Sequence, residues 1–272
     1  MYCTRLRWLL AGVPVLALAG ADTQGTTASV GFTAQSFHYR ENDTDGIRLD
    51  RERGWLPGLH AAVEHDFGSW FAGAGLDWSA GTVDYAAPVA DSTTDTDLRQ
   101  LELRAGRPLW QRGRARLHVV AGLGMREWRR DIRNTTNAIG QTVYGQDETY
   151  RWGYALLGVR SEYGLQPGTR LALDLQLIRT LNPEIKARFR NGWDSVRLDL
   201  GERTGYRVSL SLERRLDQRR SLWLSTWYEY QALGRSAVAD LTAGGVPIGS
   251  VSEPDSETGL SGLSAGIRWR FR

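Results

Sequence analysis

From about residue 28 onward the chain alternates between apolar and polar or small residues. Leu101, Leu103 and Ala105 alternate with Gln100, Glu102 and Arg104, and Leu171, Leu173, Leu175 and Leu177 alternate with Ala172, Asp174 and Gln176. Successive side chains of an extended strand point to opposite faces, so a period of two places every apolar residue on one side. Similar patterns run through Leu59–Val63, Trp70–Trp78, Leu117–Met125, Tyr206–Leu212, Leu222–Tyr230 and Leu263–Phe271. A looser first segment, about 28–41, holds Val30, Phe32 and Ala34. Another, about 149–163, carries large apolar residues on both faces. The count is ten strands.

The connections alternate too. Residues 67–70, 111–114, 164–169 and 217–220 are tight turns rich in Gly, Asp and Arg. The other five connections are long: about 42–54, 86–96, 129–148, 180–203 and 232–256. Short and long in strict succession put all long loops at one end of an up-and-down meander. Long loops are uncommon in compact soluble domains but ordinary on the outer face of a bacterial outer-membrane barrel. One strand face is a run of Leu, Val and Ala, and the other mixes charge with glycine. A closed antiparallel barrel with that apolar face toward lipid leaves no free edge and no unpaired backbone. Trp55, Phe67, Trp70, Trp110, Tyr163, Trp269 and Phe271 fall at strand ends, where interfacial girdles sit. The expected fold is therefore all-β: a closed transmembrane barrel of about ten strands, with short periplasmic turns and five long extracellular loops. The alternative is a soluble, lipocalin-like barrel with the apolar face inside.

Ten strands are too few for an open porin lumen. The interior is expected to hold Arg–carboxylate pairs drawn from Glu64, Asp77, Glu102, Arg104, Arg126, Asp174, Glu213, Arg215, Glu229 and Arg268. Gly73, Gly75, Gly122 and Gly124 would leave room for arginines opposite.

The first residues read as an export signal. Arg5 and Arg7 precede twelve apolar residues, Trp8 to Ala19, which are too short to span a membrane as a helix. Ala17-Leu18-Ala19 and Ala19-Gly20-Ala21 are small-x-small cleavage sites. Residues 1–21 are thus expected to be a signal peptide and 22–272 the barrel. Cleavage would remove Cys3, the single cysteine, and with it disulfides and cysteine chemistry. It would also lower the formal charge from +3 to +1, which leaves no global basic field for nucleic acid.

Two patches carry a family resemblance: Ser36-Phe37-His38-Tyr39-Arg40-Glu41 closing the first strand, and the Leu263-to-Phe271 alternation ending on an aromatic. With the strand count and loop order, they make the chain resemble the omptin-like, ten-stranded outer-membrane barrels. The terminal alternation resembles the segment read by the barrel-insertion machinery, although Phe271 is penultimate rather than last. The resemblance implies a protease site with an Asp pair near the second outer loop and an Asp–His pair near the fourth. Asp84, Asp91, Asp95 and Asp97 could supply the first pair. The fourth loop offers Asp194 and Asp199 but no histidine. The four histidines are His38, His60, His65 and His118, and of these only His38 is near the outer rim. Without a base poised near neutral pH opposite the Asp pair, that mechanism lacks a partner.

No cluster with metal-ligand spacing, phosphate-binding glycine loop or nucleophile elbow is present, so no cofactor is implied. The loops do hold cations. Arg129, Arg130 and Arg133 lie around the third, and Lys186, Arg188 and Arg190 in the fourth. Lipopolysaccharide phosphates at a barrel rim suit bidentate guanidinium contacts, and the omptin resemblance implies binding of that lipid in general terms. The expected function is a non-enzymatic structural or binding barrel in the outer membrane, meeting outer-membrane lipids, lipopolysaccharide or an external ligand. Two alternatives stay open. One is an outer-membrane hydrolase, either omptin-like or a lipid A-modifying enzyme using His38. The other is a narrow channel.

Overall fold

A computed structural model describes residues 25–271; the expected export signal lies outside these residues. The strands in chain order are β1 (Gly25–Asn42), β2 (Arg48–Asp66), β3 (Phe71–Ala86), β4 (Asp91–Arg112), β5 (Ala115–Ile132), β6 (Thr135–Thr136), β7 (Thr142–Val143) and β8 (Gln146–Gln166). They continue as β9 (Thr169–Phe189), β10 (Val196–Asp199), β11 (Thr204–Arg215), β12 (Arg220–Leu233), β13 (Ala239–Ala243), β14 (Val246–Val251) and β15 (Asp255–Phe271). Ten of them, β1–β5, β8, β9, β11, β12 and β15, pair antiparallel with their neighbours. The β8–β9 and β1–β15 ladders close the ring. Chain order equals spatial order, so the meander is up-and-down. At the tight turns Gly68, Gly113 and Gly168 take positive φ of 85°, 59° and 74°, where a side chain would be strained. The turn at 217–220 instead uses Asp217, whose carboxylate accepts from the Arg219 and Arg220 amides.

The outside is the apolar face. Val30, Phe32, Leu59, Leu76, Leu103, Leu123, Leu157, Leu177, Leu210 and Leu263 all project from the wall and are exposed. That outcome excludes the lipocalin-like alternative, in which these residues would form the core. The apolar belt stops at a charged row. Arg99 lies opposite Glu127, Glu127 opposite Arg151, and Arg151 opposite Glu184 on β4, β5, β8 and β9. The strands do not stop there. β4 and β8 have 22 and 21 residues, about twice what a membrane crossing needs, and the surplus stands above the belt.

That surplus corrects the expected loops. The second connection, expected over 86–96, shrinks to residues 87–90 because Ala86 still pairs with Asp91. The first is only residues 43–47. The third and fifth carry the small hairpins β6–β7 and β13–β14, and β10 folds back onto β9 in the fourth. Apolar alternation ends where lipid ends, but the backbone ladder needs no lipid and continues with Thr, Asp and Arg outside.

Two interior layers replace the uniform polar filling expected. Toward the turns lies a cavity of about 260 Å³ lined by arginines and carboxylates. Nine of the ten charged residues expected inside line it, and Arg215 instead lies exposed at the turn end. Above this layer the interior is apolar: Phe37, Leu56, Leu98, Trp128, Trp152, Tyr154 and Ile178 form one buried cluster. The two-faced segment on β8 explains much of it, since Trp152, Tyr154 and Leu156 point inward while Ala155, Leu157 and Val159 face lipid. A Cβ on Gly124 would overlap the Tyr154 ring. That glycine therefore makes room for an aromatic ring and not for an arginine.

Candidate functional site

At the turn end the charged side chains alternate in sign and close on one another. Arg104 Nη2 is 3.0 Å from Glu64, Arg160 Nε 2.8 Å from Asp174, and Arg207 contacts Glu102 at 2.8 Å and Glu229 at 2.7 Å. Arg170 and Arg268 share Glu213. His60 Nδ1 stands 2.7 Å from Asp77 on the cavity wall. It is the only histidine–carboxylate contact among the described residues, and it lies below the aromatic layer, away from the rim.

Above the aromatic layer the arrangement changes. Arg130 projects inward from β5 and its side chain is fully buried. Its guanidinium meets Glu148 at 2.6 Å, Glu52 at 3.0 Å, Glu41 at 3.3 Å and Asp50 at 3.8 Å. Tyr150 Oη donates to Glu253 at 2.5 Å, and Tyr39 Oη donates to Glu41 at 2.6 Å. The Arg130 guanidinium also lies over the Tyr39 and Trp128 rings, at 4.5 and 5.1 Å from their centroids. Four carboxylates thus meet one guanidinium, and a fifth, Glu253, joins the cluster through Tyr150. Burial, followed by the charges of its neighbours, pushes Asp50 up to about 8, and burial likewise raises Glu148 and Glu253.

This placement corrects one expected rim residue. Strand alternation puts Arg129 outside and Arg130 inside, so Arg130 cannot reach a lipid phosphate. The others do lie on the outer face. Arg129 pairs with Glu127 at 2.6 Å, Arg133 with Asp95 at 2.8 Å, and Arg190 bridges Asp131 and Asp147. Lys186 and Arg188 are exposed on β9, opposite Thr149 and Asp147.

The carboxylates offered for a protease do not assemble. Asp84, Asp95 and Asp97 point outward, Asp95 held by Thr82 and Arg133, and Asp97 2.7 Å from Arg99. Asp194 accepts from Thr242 and the Gly245 amide, which pins the fourth connection to the β13–β14 hairpin. His65 and His118 sit toward the turn end, beside Phe67 and Phe71. His38 is on the outer face, with Nδ1 3.3 Å from Ser36 Oγ.

A second outer-face feature escaped the sequence reading. Arg40 on β1 lies directly opposite Arg51 on β2, and His38 directly opposite Arg53. The four face outward as a two-by-two block. Glu257 pairs with Arg40, and Asp84 lies opposite Arg53 across β3. Directly below, Phe32, Trp55, Leu59 and Trp78 are exposed on the lipid side. The register of β1 on β2 creates the block, and nothing in either segment alone signals it.

No family model matches the chain, and no curated protein matches it by sequence. Among solved structures it is similar to the outer membrane protease OmpT from Escherichia coli, with a TM-score of 0.65 at 10% identity, over 93% of this chain and 99% of that one. It is also similar to the translocator domain of the autotransporter NalP from Neisseria meningitidis (TM-score 0.44, 14% identity, 93% and 91% covered). OprG from Pseudomonas aeruginosa follows at TM-score 0.40 and 10% identity, with 93% and 98% covered. Of the three, the OmpT likeness is near enough to bear on the fold, and at 10% identity it bears on nothing else. The chain is an outer-membrane β-barrel of ten spanning strands. Within that class its fold is omptin-like.

Proposed function

We propose that this barrel is a non-enzymatic surface protein that binds lipopolysaccharide on its outer wall. The observation that carries the reading is the basic block Arg40, Arg51, His38 and Arg53, standing directly above an exposed apolar wall. Like charges directly opposite on a sheet are destabilising unless an anion lies between them. A phosphorylated lipid has both parts, a phosphate for the guanidinium groups and acyl chains for Phe32 and Trp55. Lys186 and Arg188, together with Arg129, Arg133 and Arg190, would extend the contact around the rim, although the last three already share carboxylates, as Arg40 does with Glu257.

The test is the melting temperature of the refolded barrel with and without lipopolysaccharide. Stabilisation by the lipid that Arg51→Gln/Arg53→Gln removes supports the reading, and a melting point indifferent to lipid overturns it. The runner-up is a lipid-directed hydrolase, favoured by the Ser36–His38 contact, though no carboxylate orients the histidine. Hydrolysis of lipid A or of a peptide library, abolished by His38→Ala or Asp84→Ala, would establish it instead.

A further inference from the structure

The cluster around Arg130 joins parts of the chain that nothing else ties together. Glu41 comes from β1, Asp50 and Glu52 from β2, Glu148 and Tyr150 from β8, and Glu253 from the connection leading into β15. Tyr85 on β3 and Thr94 on β4 complete the wall, Thr94 donating to Glu52 at 2.6 Å. β9 contributes only the apolar Ile185 and Ala187 at this height. Among the described residues Arg130 is the sole cation facing the five carboxylates.

One positive charge neutralises one negative charge, and most of the cluster is buried. Glu52 and Arg130 side chains are fully buried and Glu148 is 4% exposed. Two carboxyl oxygens, Asp50 Oδ1 and Glu52 Oε2, are buried with no hydrogen-bond partner from the protein. A buried ionised carboxylate needs donors on its oxygens, whereas a protonated one supplies a donor of its own. The unpartnered oxygens and the charge excess both point to bound protons.

We propose that the extracellular end of the barrel is a proton-held lock, closed while the carboxylates around Arg130 keep the protons that this arginine cannot replace. Glu253 is the moving part, because it is the one member on a connection rather than a barrel strand. Its segment is held by Tyr150 Oη and by Ser236, whose backbone amide donates to the Glu253 carbonyl and whose Oγ accepts from the Glu253 amide. When the cluster loses protons, Glu253 faces Glu41 and Glu148 as like charges, and the fifth connection lifts away from the mouth. The raised ionisation of Asp50, Glu148 and Glu253 agrees with that direction.

The sign follows from linkage. The closed form binds more protons than the open form, so closure is complete at low pH and is lost as pH rises through the closed-state values, about 8 for Asp50. The experiment is hydrogen–deuterium exchange on the refolded full barrel from pH 6 to pH 9, corrected for intrinsic exchange. Protection of residues 234–254 is expected to fall by about tenfold or more across that range, while the turn at 217–220 stays constant. Asp50→Asn/Glu253→Gln is expected to hold protection level up to pH 9. Should that variant fold poorly, Tyr150→Phe removes the donor to Glu253 at unchanged acid count and is expected to move the transition to lower pH.

Flat protection in the wild type would overturn the lock, and so would a transition that none of these variants moves. Loss of protection at pH 6 on adding EDTA would assign the neutralising charge to a divalent ion and overturn the proton reading.

Discussion

The two halves of the barrel interior are built from the same residue types and obey different rules. Toward the turns, six arginines face a similar number of carboxylates around a cavity of about 260 Å³, and each charge has an opposite neighbour. Toward the extracellular end, one arginine stands among five mostly buried carboxylates. Stoichiometry and burial separate the two. A balanced lattice beside a cavity can re-solvate a lost partner, whereas an unbalanced buried cluster depends on its single cation and on protons.

The sharpest way to break that comparison is Arg130→Met. Removing the only cation from buried carboxylates is expected to cost about 3–5 kcal/mol, read by denaturant unfolding of the refolded barrel. Arg104→Met, in the lower half, should cost less than about 1 kcal/mol, because Glu64 there is 30% exposed and borders the cavity. Equal losses from the two substitutions would abolish the distinction between the halves.

Between these extremes, Gly124→Ala drives a methyl into the Tyr154 ring at the boundary of the two layers and should cost about 1–3 kcal/mol. A Tyr154→Phe background would not relieve it, since the contact is with the ring itself. Tyr150→Phe deletes a buried donor to Glu253 and should cost about 1–2 kcal/mol at pH 6.

A pH series sharpens the contrast from another side. Asp50 is ionised in the unfolded chain above about pH 4 and in the folded barrel only above about 8. Stability should therefore be greatest below about pH 4 as far as this group contributes, and decline as pH climbs toward 8. Asp50→Asn should flatten that slope. A melting temperature that instead rose steadily from pH 5 to pH 8 and was unaffected by Asp50→Asn would show that the upper cluster holds no extra proton.

Much of the fold was legible from residues alone. Leu101, Leu103 and Ala105, like the Leu171–Leu177 series, declared both a strand and its lipid-facing side, and Gly113 and Gly168 marked the turns where they occur. The interior charges were also readable, with nine of ten found at the cavity. The extracellular ends of the strands were not, because beyond Arg99 and Glu127 no lipid imposes an apolar pattern on the outward positions. The candidate site was least legible. Arg130 looked like one more exposed loop cation, and the Arg40–Arg51 and His38–Arg53 pairs exist only through the register of β1 on β2.

By itself, then, the sequence determined the ten strands, their faces, the ends at which they turn and the membrane in which they stand. Each of these rests on a neighbour-to-neighbour rule: strand alternation, turn chemistry and the demand of lipid for apolar side chains. Only the tertiary structure decided that Glu41, Asp50, Glu52 and Glu148 share one arginine, and that aromatic side chains seal the layer beneath them. Strand tilt and stagger in a closed barrel bring residues 18 to 89 positions apart to Arg130 at the same height. That meeting follows from ring closure, which no local pattern encodes.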